Sequence, residues 1–413
     1  MDMIKNRVKE KKKWKIVIPI FFIILSLFLN LAGWLSSSFC NFYVMHIFPM
    51  WVEIYGRLTG MFSFSVGEIM LYLAALLVAV LVLWTIIHIL FHRFLPKGER
   101  KCLKYYSLMI LWIFGIVSVI MTLNCFLLYH VSPLNERYSI GDGSVEEYGV
   151  LEITILRDYV VEQANLLGDS LPRDENGELI YEGDMKQEAK DQMRRLGNEF
   201  TQLQGYYPDP KPLATSEFFS QQYIMGYYFP FSMEANYNAI MCEVNMPATM
   251  CHELSHLKGI IREDEANFIG YLACVDAEDD FFRYSAYLSV ITYLDRDFYR
   301  AIKKNDEIYD SHPAISEQVA ADKMFLTKEN WDYVEKTALI KTETVKKISD
   351  AFMETNLVLN GVDDGKISYS RVVDLLLRYY NGILYWKKFL VLFFLVLKGY
   401  THNKGILYYE GRC

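Results

Sequence analysis

The stretch Asn245-Met-Pro-Ala-Thr-Met-Cys-His-Glu-Leu-Ser-His-Leu-Lys-Gly259 has the spacing that a helix needs to hold a divalent metal ion. Residues four apart stack on one helix face, so the imidazoles of His252 and His256 can reach the same ion. Glu253 lies about 100° round the helix from His252. Its carboxylate therefore sits beside the ion, where it can take a proton from water.

The same stretch also marks the ends and the buried face of the helix. Pro247 suits the first helical turn, and Gly259 suits the left-handed position that follows the last turn. The opposite face is apolar and gives the helix a surface to bury, through Met250, Leu254 and Leu257. The sequence therefore predicts one helix from about residue 247 to residue 258.

A zinc site with an open position for water needs a third protein ligand. Just beyond the glycine comes Arg262-Glu-Asp-Glu-Ala-Asn-Phe268. If a second helix begins near Glu263, then Glu263 and Asn267 share a face. Glu263 can then bind the metal while Asn267 hydrogen-bonds a ligand histidine. Glu263 is the predicted third ligand, and Glu265, which points elsewhere on that helix, is the alternative.

The motif His-Glu-x-x-His followed by Glu-x-x-Ala-Asn resembles that of the gluzincin metallopeptidases, in which the glutamate opening the second motif completes a zinc site. The string from His252 to Gly259, followed by Glu-Asp-Glu-Ala-Asn-Phe-Ile-Gly-Tyr-Leu-Ala, is similar to a largely uncharacterised bacterial family of membrane-anchored candidate zinc peptidases. These have three transmembrane helices ahead of the catalytic domain. The resemblance covers most of the chain up to about residue 380, and it implies a zincin-like fold and peptidase activity.

Two details of spacing refine this resemblance. Only six residues separate His256 from Glu263, a shorter gap than most gluzincins have. The metzincins use a similarly tight glycine turn, but their third histidine would fall at Arg262. Arginine cannot bind the metal, so the metzincin subclass is disfavoured.

The composition points to a membrane protein. The 413 residues are 52% hydrophobic and 15% aromatic, which is too apolar for an ordinary soluble protein, and the excess lies in the first 130 or so residues. The net charge is −8, and no basic stripe with interleaved aromatics suggests a nucleic-acid partner. The seven cysteines include no Cys-x-x-Cys pair. Cys251 is interpreted as a small buried residue.

Three charge-free apolar runs are each about as long as the ~20 residues needed to cross a bilayer, namely residues 16–35, 69–91 and 105–129. Basic residues gather in residues 1–15 and in the loop 92–104. The positive-inside rule makes both segments cytoplasmic and places the loop 36–64 outside, with Trp34, Tyr43 and Trp51 suited to the membrane interface. Everything after about residue 131 is then extracytoplasmic.

The predicted fold is a membrane-anchored protein with three N-terminal transmembrane helices followed by a mainly helical α+β zincin-like metallopeptidase domain. Its predicted parts are a basic cytoplasmic arm (1–15), a three-helix transmembrane region (16–130), an extracytoplasmic catalytic domain (131–380) and an apolar tail (381–413). Within the tail, residues 389–397 are too short to span a bilayer as a helix. Interfacial docking or a core helix is the preferred interpretation.

Within the predicted domain, helical patterns cover about residues 143–168, 186–204, 281–302 and 314–356. Residues 226–238 are aromatic and strand-like, with a proline that only an edge or a bulge tolerates. This stretch is interpreted either as an edge strand that pairs with an extended peptide substrate or as a hairpin packed under the site, and Glu234 and Asn236 fit both. Tyr369 and Arg371 are candidate donors for stabilising an oxyanion.

Together these features predict a zinc metallopeptidase whose Zn²⁺ is held by His252, His256 and Glu263, with Glu253 as general base. The predicted partners are the lipid bilayer and membrane-proximal or extracytoplasmic peptides or proteins. The alternative is a catalytically inactive membrane receptor or assembly factor that retains a structural zinc site. An intramembrane protease is disfavoured, because His252 lies about 120 residues beyond the third apolar run in polar surroundings. The sequence does not predict the oligomeric state.

Overall fold

The computed structural model describes residues 2–91, 99–141, 148–175, 177–359 and 371–385, and these residues are mainly helical. The α-helices are α1 (Asp2–Leu35), α2 (Ser37–Phe42), α3 (Phe48–Trp51), α4 (Arg57–Thr59), α5 (Val66–Phe91), α6 (Glu99–Met121), α7 (Leu127–Tyr129), α8 (Leu134–Tyr138), α9 (Val150–Ser170), α10 (Met185–Leu196), α11 (Ser216–Ser220), α12 (Met246–His256), α13 (Glu263–Val275), α14 (Asp280–Ala301), α15 (Asp306–Asp310), α16 (Glu317–Asp322), α17 (Lys328–Thr337), α18 (Thr342–Leu359) and α19 (Val372–Tyr379). Three segments are π-helical, Tyr43–Ile47, Val52–Gly56 and Thr122–Phe126. Two short 3₁₀-helices are Thr201–Leu203 and Glu243–Asn245.

Three of these helical segments are long and apolar enough to cross a membrane, as the sequence predicts: Lys13–Leu35, Val66–Leu90 and Lys104–Tyr129. The first packs along the third, through α1 and α6. The second is different, because within the described chain none of its most apolar window is buried. The predicted apolar run 389–397 lies outside the described residues.

Residues 37–59 form one continuous helix that we call the underwound helix. Five of its buried residues recur every four positions, at Cys40, Val44, Phe48, Val52 and Gly56, and Tyr43 and Thr59 are buried beside this series. An α-helix repeats about every 3.6 residues, so such a series would drift round its surface. The two π-helical segments close their hydrogen bonds over five residues and underwind the helix, which keeps the series on one face.

The aromatic residues expected at the membrane interface divide into two groups. Trp34 is exposed, but the prediction is wrong for Tyr43, whose side chain is buried. The Tyr43 hydroxyl donates to the Leu123 carbonyl at 3.0 Å and accepts from the half-buried Trp51 indole, also at 3.0 Å. Both polar groups are satisfied inside the protein, so neither needs interfacial water.

A three-stranded sheet packs against α12, and the last residue of the underwound helix, Thr59, hydrogen-bonds Lys211 of the sheet and the Ser232 carbonyl. Its strands are β1 (Lys211–Leu213), β2 (Gly226–Phe229) and β3 (Glu234–Asn238), in the order β1-β3-β2. The first pair is parallel and the second antiparallel. The strand-like stretch 226–238 is therefore a hairpin with Pro230 in its turn, and β2 is an edge strand. The edge strand of one interpretation and the hairpin of the other are thus both present, and pairing of β2 with a peptide stays a prediction.

One continuous hydrophobic core contains α12, its neighbours α10, α13 and α14, and the helices α9 and α19 that pack on α14. The same core includes side chains of the underwound helix and of the C-terminal end of the third span, such as Phe48 and Leu127. The helix predicted at 281–302 is confirmed as α14. The helical region predicted at 314–356 is instead divided into three helices, because Ser316 and Thr327 cap the starts of α16 and α17.

Two buried carboxylates join the sheet to the second span, and we call this pair the carboxylate clamp. Glu234 on β3 accepts hydrogen bonds from the first two amides of α5 at 3.2 and 2.6 Å. Glu68, in the first turn of α5, accepts from the Ala214 and Thr215 amides at 2.7 and 2.8 Å. Glu234 is also paired with the buried ammonium of Lys211. Glu234 thus satisfies free amides at the start of α5, and Glu68 satisfies free amides just after β1.

We predict that Lys211→Met lowers the free energy of unfolding by about 3–5 kcal/mol, because Glu234 would stay buried without its counter-charge. Thermal unfolding of the full chain in detergent micelles, followed by circular dichroism, measures the loss. Lys346→Met is the matched control, since it breaks a half-exposed ion pair with Asp350 and should cost less than about 1 kcal/mol. Equal losses from both variants would contradict the structural role given to the buried pair.

Candidate metal centre

The helix predicted around the His-Glu-x-x-His motif is confirmed as α12, with Pro247 in its first turn. The chain then reverses at Gly259, whose φ is +81°, and enters α13 at Glu263. A Cβ atom at Gly259 would also collide with the Val44 side chain of the underwound helix. Both its backbone conformation and its packing therefore require glycine at this turn.

This turn brings together the three predicted metal ligands. Donor atoms of His252, His256 and Glu263 all lie within 4.8 Å of one another. The two histidine Nε2 atoms are 3.1 Å apart, and Glu263 Oε2 lies 3.1 Å from His252 Nε2 and 3.9 Å from His256 Nε2. Within the described parts of the chain, this is the one group of histidine, cysteine or acidic side chains with such spacing.

Hydrogen bonds on the far sides of the imidazoles orient them toward this point. His256 Nδ1 lies 2.6 Å from the Ile260 carbonyl oxygen, which can only accept, so Nδ1 carries the proton and Nε2 keeps its lone pair for a metal. The His252 side chain hydrogen-bonds Asn267, the residue predicted for this role. His256 is buried whereas His252 and Glu263 are half-buried, so the site opens on one side.

The two imidazoles differ in their affinity for a proton. Burial lowers the pKa of His256 to about 4 and outweighs the opposing charge of Glu263. Burial also acts to lower the pKa of His252, but the hydrogen bond and charge of Glu263 outweigh it and raise that pKa. At neutral pH His256 is therefore a neutral imidazole, the form that binds a metal.

Glu253 lies next to this trio on the same helix and is only 5% exposed. Burial raises its pKa to about 8. Its Oε2 is buried with no hydrogen-bond partner among the described residues, while Oε1 faces Gly226 at the start of β2. A buried carboxylate oxygen without a partner is costly, and it indicates a position meant for a water, an ion or a reacting group.

The residues present fit a bound divalent cation of the zinc type. Two imidazoles and one carboxylate are the donor set of open zinc sites, which leave one position for water or substrate. The unpartnered oxygen of Glu253 and the opening beside His252 agree with such a position. His252, His256 and Glu263 are thus suited to hold the metal, and hydrogen bonds to Ile260 and Asn267 orient the two imidazoles.

The alternative ligand, Glu265, lies elsewhere. Its buried carboxylate accepts a hydrogen bond from the Leu134 amide at 2.7 Å and lies 3.8 Å from the Arg262 guanidinium. It therefore ties α13 to the segment that follows the third span. Of the two candidate oxyanion donors, Arg371 pairs with Asp264 at 3.7 Å, and Tyr369 lies outside the described residues.

Three further residues lie next to the candidate site: Cys251, Gly226 and Ile260. Cys251 is fully buried, as interpreted, and its sulfur lies 3.7 Å from that of Cys274. Gly226 was not predicted to belong to the site, although a glycine opening an aromatic strand is a signal of close backbone approach. The carbonyl of Ile260 has no sequence signal, because every residue carries one.

The sequence model of one family, described as a protein of unknown function (DUF3810), matches residues 43–377. The chain belongs to the DUF3810 family. The matched residues include the second and third spans, the sheet and all the residues of the candidate metal centre. No curated protein and no solved structure matches the chain. The family description carries no activity, so the resemblance to zinc peptidases remains a prediction.

We predict that Glu263→Ala weakens Zn²⁺ binding by about 100-fold or more, because it removes a ligand rather than a supporting group. Glu265→Ala should leave the affinity within about tenfold, since its carboxylate faces Leu134. Competition with a chromophoric chelator measures both affinities, and circular dichroism checks that each variant is folded. If only the Glu265 variant lost zinc, Glu265 would be the third ligand and Glu263 would not.

Proposed function

We propose that the protein is a membrane-anchored zinc metallopeptidase. One observation carries this proposal: Glu253, a buried acid with an unpartnered oxygen, adjoins a converging trio of two histidines and a glutamate. A purely structural zinc site needs no such acid and is normally closed by four protein ligands. The three ligands with an adjacent base fit peptide-bond hydrolysis.

Zinc, when bound by His252, His256 and Glu263, would polarise the scissile carbonyl and make water more acidic. Glu253 would accept the proton of the attacking water and deliver it to the departing amine. Burial raises the pKa of Glu253 above that of an ordinary glutamate, the direction that suits a group that first accepts a proton and then gives it up. The partly open side near His252 is where a peptide would enter.

The sheet supports a zincin-like interpretation of the domain. β2 is an edge strand, runs antiparallel to β3, and begins at Gly226 against the Glu253 carboxylate. An extended peptide that pairs with the free edge of a strand presents its backbone at regular spacing. We infer that a substrate lies along β2, which would bring its scissile bond past Glu253.

We place the catalytic domain on the extracytoplasmic side, because basic residues gather before the first span and between the second and third. The site belongs to the same core as the end of the third span, and Glu265 links α13 directly to Leu134. Substrates would therefore be peptides or proteins close to the membrane surface. Zinc, peptide substrate and bilayer are the proposed partners.

We predict that Glu253→Gln lowers peptide hydrolysis by about 100-fold or more while zinc remains bound, because the amide cannot take a proton from water. The full chain in lipid nanodiscs would be incubated with a peptide library, and mass spectrometry would identify the cleaved bonds. Bound zinc would be quantified in the same samples. Hydrolysis by neither protein, with zinc present in both, would favour a receptor or assembly factor with a structural zinc site.

Gly226→Ala tests the position of Glu253 rather than its chemistry. A methyl group there would overlap the Glu253 carboxylate, so we expect hydrolysis to fall by about 100-fold while zinc binding stays unchanged. Gly149→Ala is the control, since that glycine has an ordinary φ of −87° and lies at the exposed start of α9. Unchanged hydrolysis in the Gly226 variant would show that Glu253 is not held by β2.

A further inference from the structure

The face of the underwound helix that points away from the core is apolar and exposed. Phe42, Met50, Ile54 and Leu58 are each more than half exposed along it. They are spaced by multiples of four residues, the same repeat that the π-helical segments impose on the buried face. The helix therefore carries two parallel rows, one in the core and one outside it, and we call the outer row the apolar stripe.

The apolar stripe continues beyond the end of the helix. The next three large apolar residues, Met61, Phe62 and Phe64, are also exposed and lead directly into the second span. Soluble proteins rarely leave so long a run of large apolar side chains in water. This surface therefore needs a partner.

Charged side chains avoid the stripe. Within residues 36–64 the two charged residues are Glu53 and Arg57, and they pair with each other at 2.7 Å. The guanidinium of Arg57 also lies 4.2 Å from the ring centre of Tyr206, which belongs to the domain. The pair thus lies on the flank of the helix nearest the domain. His46, which lies between Phe42 and Met50 in the same four-residue series, stacks its ring on Phe42.

The direction in which the stripe faces follows from the two ends of the helix. The first span ends at Leu35, and the second begins at Val66, so the intervening helix lies at the level where both spans leave the bilayer. Its opposite face is covered by the domain, since Val44 contacts Gly259 and Gly56 lies beside Met233. The stripe therefore faces away from the domain and toward the membrane.

We propose that the underwound helix lies in the plane of the membrane surface, with the apolar stripe inserted among the lipid acyl chains just below the headgroups. Amphipathic helices of this kind bury their apolar face about 5–10 Å into that boundary. A bilayer fits better than a protein partner because the chain on either side of this helix leads within a few residues into a segment long and apolar enough to cross a membrane. This inference depends on the three spans and not on the proposed peptidase activity.

Insertion of this helix would fix the height of the candidate metal centre. The glycine turn between the ligand helices rests directly on the underwound helix, through Val44. The turn would thus lie about one helix diameter, ~10 Å, above the acyl chains. A substrate would then be reached only near the point where it emerges from the membrane.

The test compares two exposed leucines, Leu58 in the stripe and Leu166 on α9, which are 57% and 62% exposed. An environment-sensitive fluorescent amino acid would replace each in the full chain. The proteins would be placed in nanodiscs of phosphatidylcholine with brominated or ordinary acyl chains. We expect bromine to quench the emission at position 58 by about half and to leave position 166 almost unchanged.

A second stripe variant carries the fluorophore at Met50 and serves as a control for local misfolding at position 58. Iodide dissolved in the water should quench the emission at position 166 and not at either stripe position. Iodide quenching at both stripe positions, without bromine quenching, would show that the helix is in water and would overturn the proposal. Protection from both quenchers would identify a protein partner instead of lipid and would equally overturn it. Neither readout requires hydrolysis, so failure here is separate from failure of the proposed peptidase activity.

Discussion

The arrangement of the candidate metal centre depends on one tight reversal of the chain at Gly259. With six residues between His256 and Glu263, the third ligand can return to the histidine pair only if α12 ends at once and α13 starts at its side. A left-handed residue without a side chain makes this possible, and the space for it is closed by Val44. The backbone geometry of one glycine thus links the metal ligands to the underwound helix below them.

Burial then gives the neighbouring groups of this centre different chemistry. It makes His256 a poor base and so a ready ligand, and it makes Glu253 a weak acid with a free oxygen. The remaining acid, Glu263, is half-buried and lies closest to His252, whose proton affinity it increases. Two carboxylates and two imidazoles in one small volume therefore differ in proton affinity according to how each is desolvated and paired, which is the basis for proposing three of them as ligands and Glu253 as a base.

The sequence predicted the centre more fully than the fold around it. Helical spacing pairs His252 with His256, because the helix repeat is fixed by the backbone, and the Glu-x-x-Ala-Asn motif on the next helix adds Glu263 as the predicted third ligand. Glu263 could be separated from Glu265 only by the structure, since the partner of Glu265 is an amide of Leu134, more than a hundred residues away in the chain. Tyr43 was assigned to the wrong environment for a related reason. Its hydroxyl finds the Leu123 carbonyl, which no local pattern reveals.

The carboxylate clamp has a mechanical consequence for the protein in its membrane. Glu234 binds the first two amides of α5, and Glu68 binds two amides just after β1, so we expect the second span and the sheet to move together. Membrane helices adjust their tilt to the thickness of the surrounding lipid. None of the most apolar described window of this span is buried, although its later part contacts Tyr106 of α6 through Trp84 and Thr85. A thicker or thinner bilayer would therefore strain the hairpin on which Gly226 faces Glu253, so lipid composition could set the working geometry of the centre.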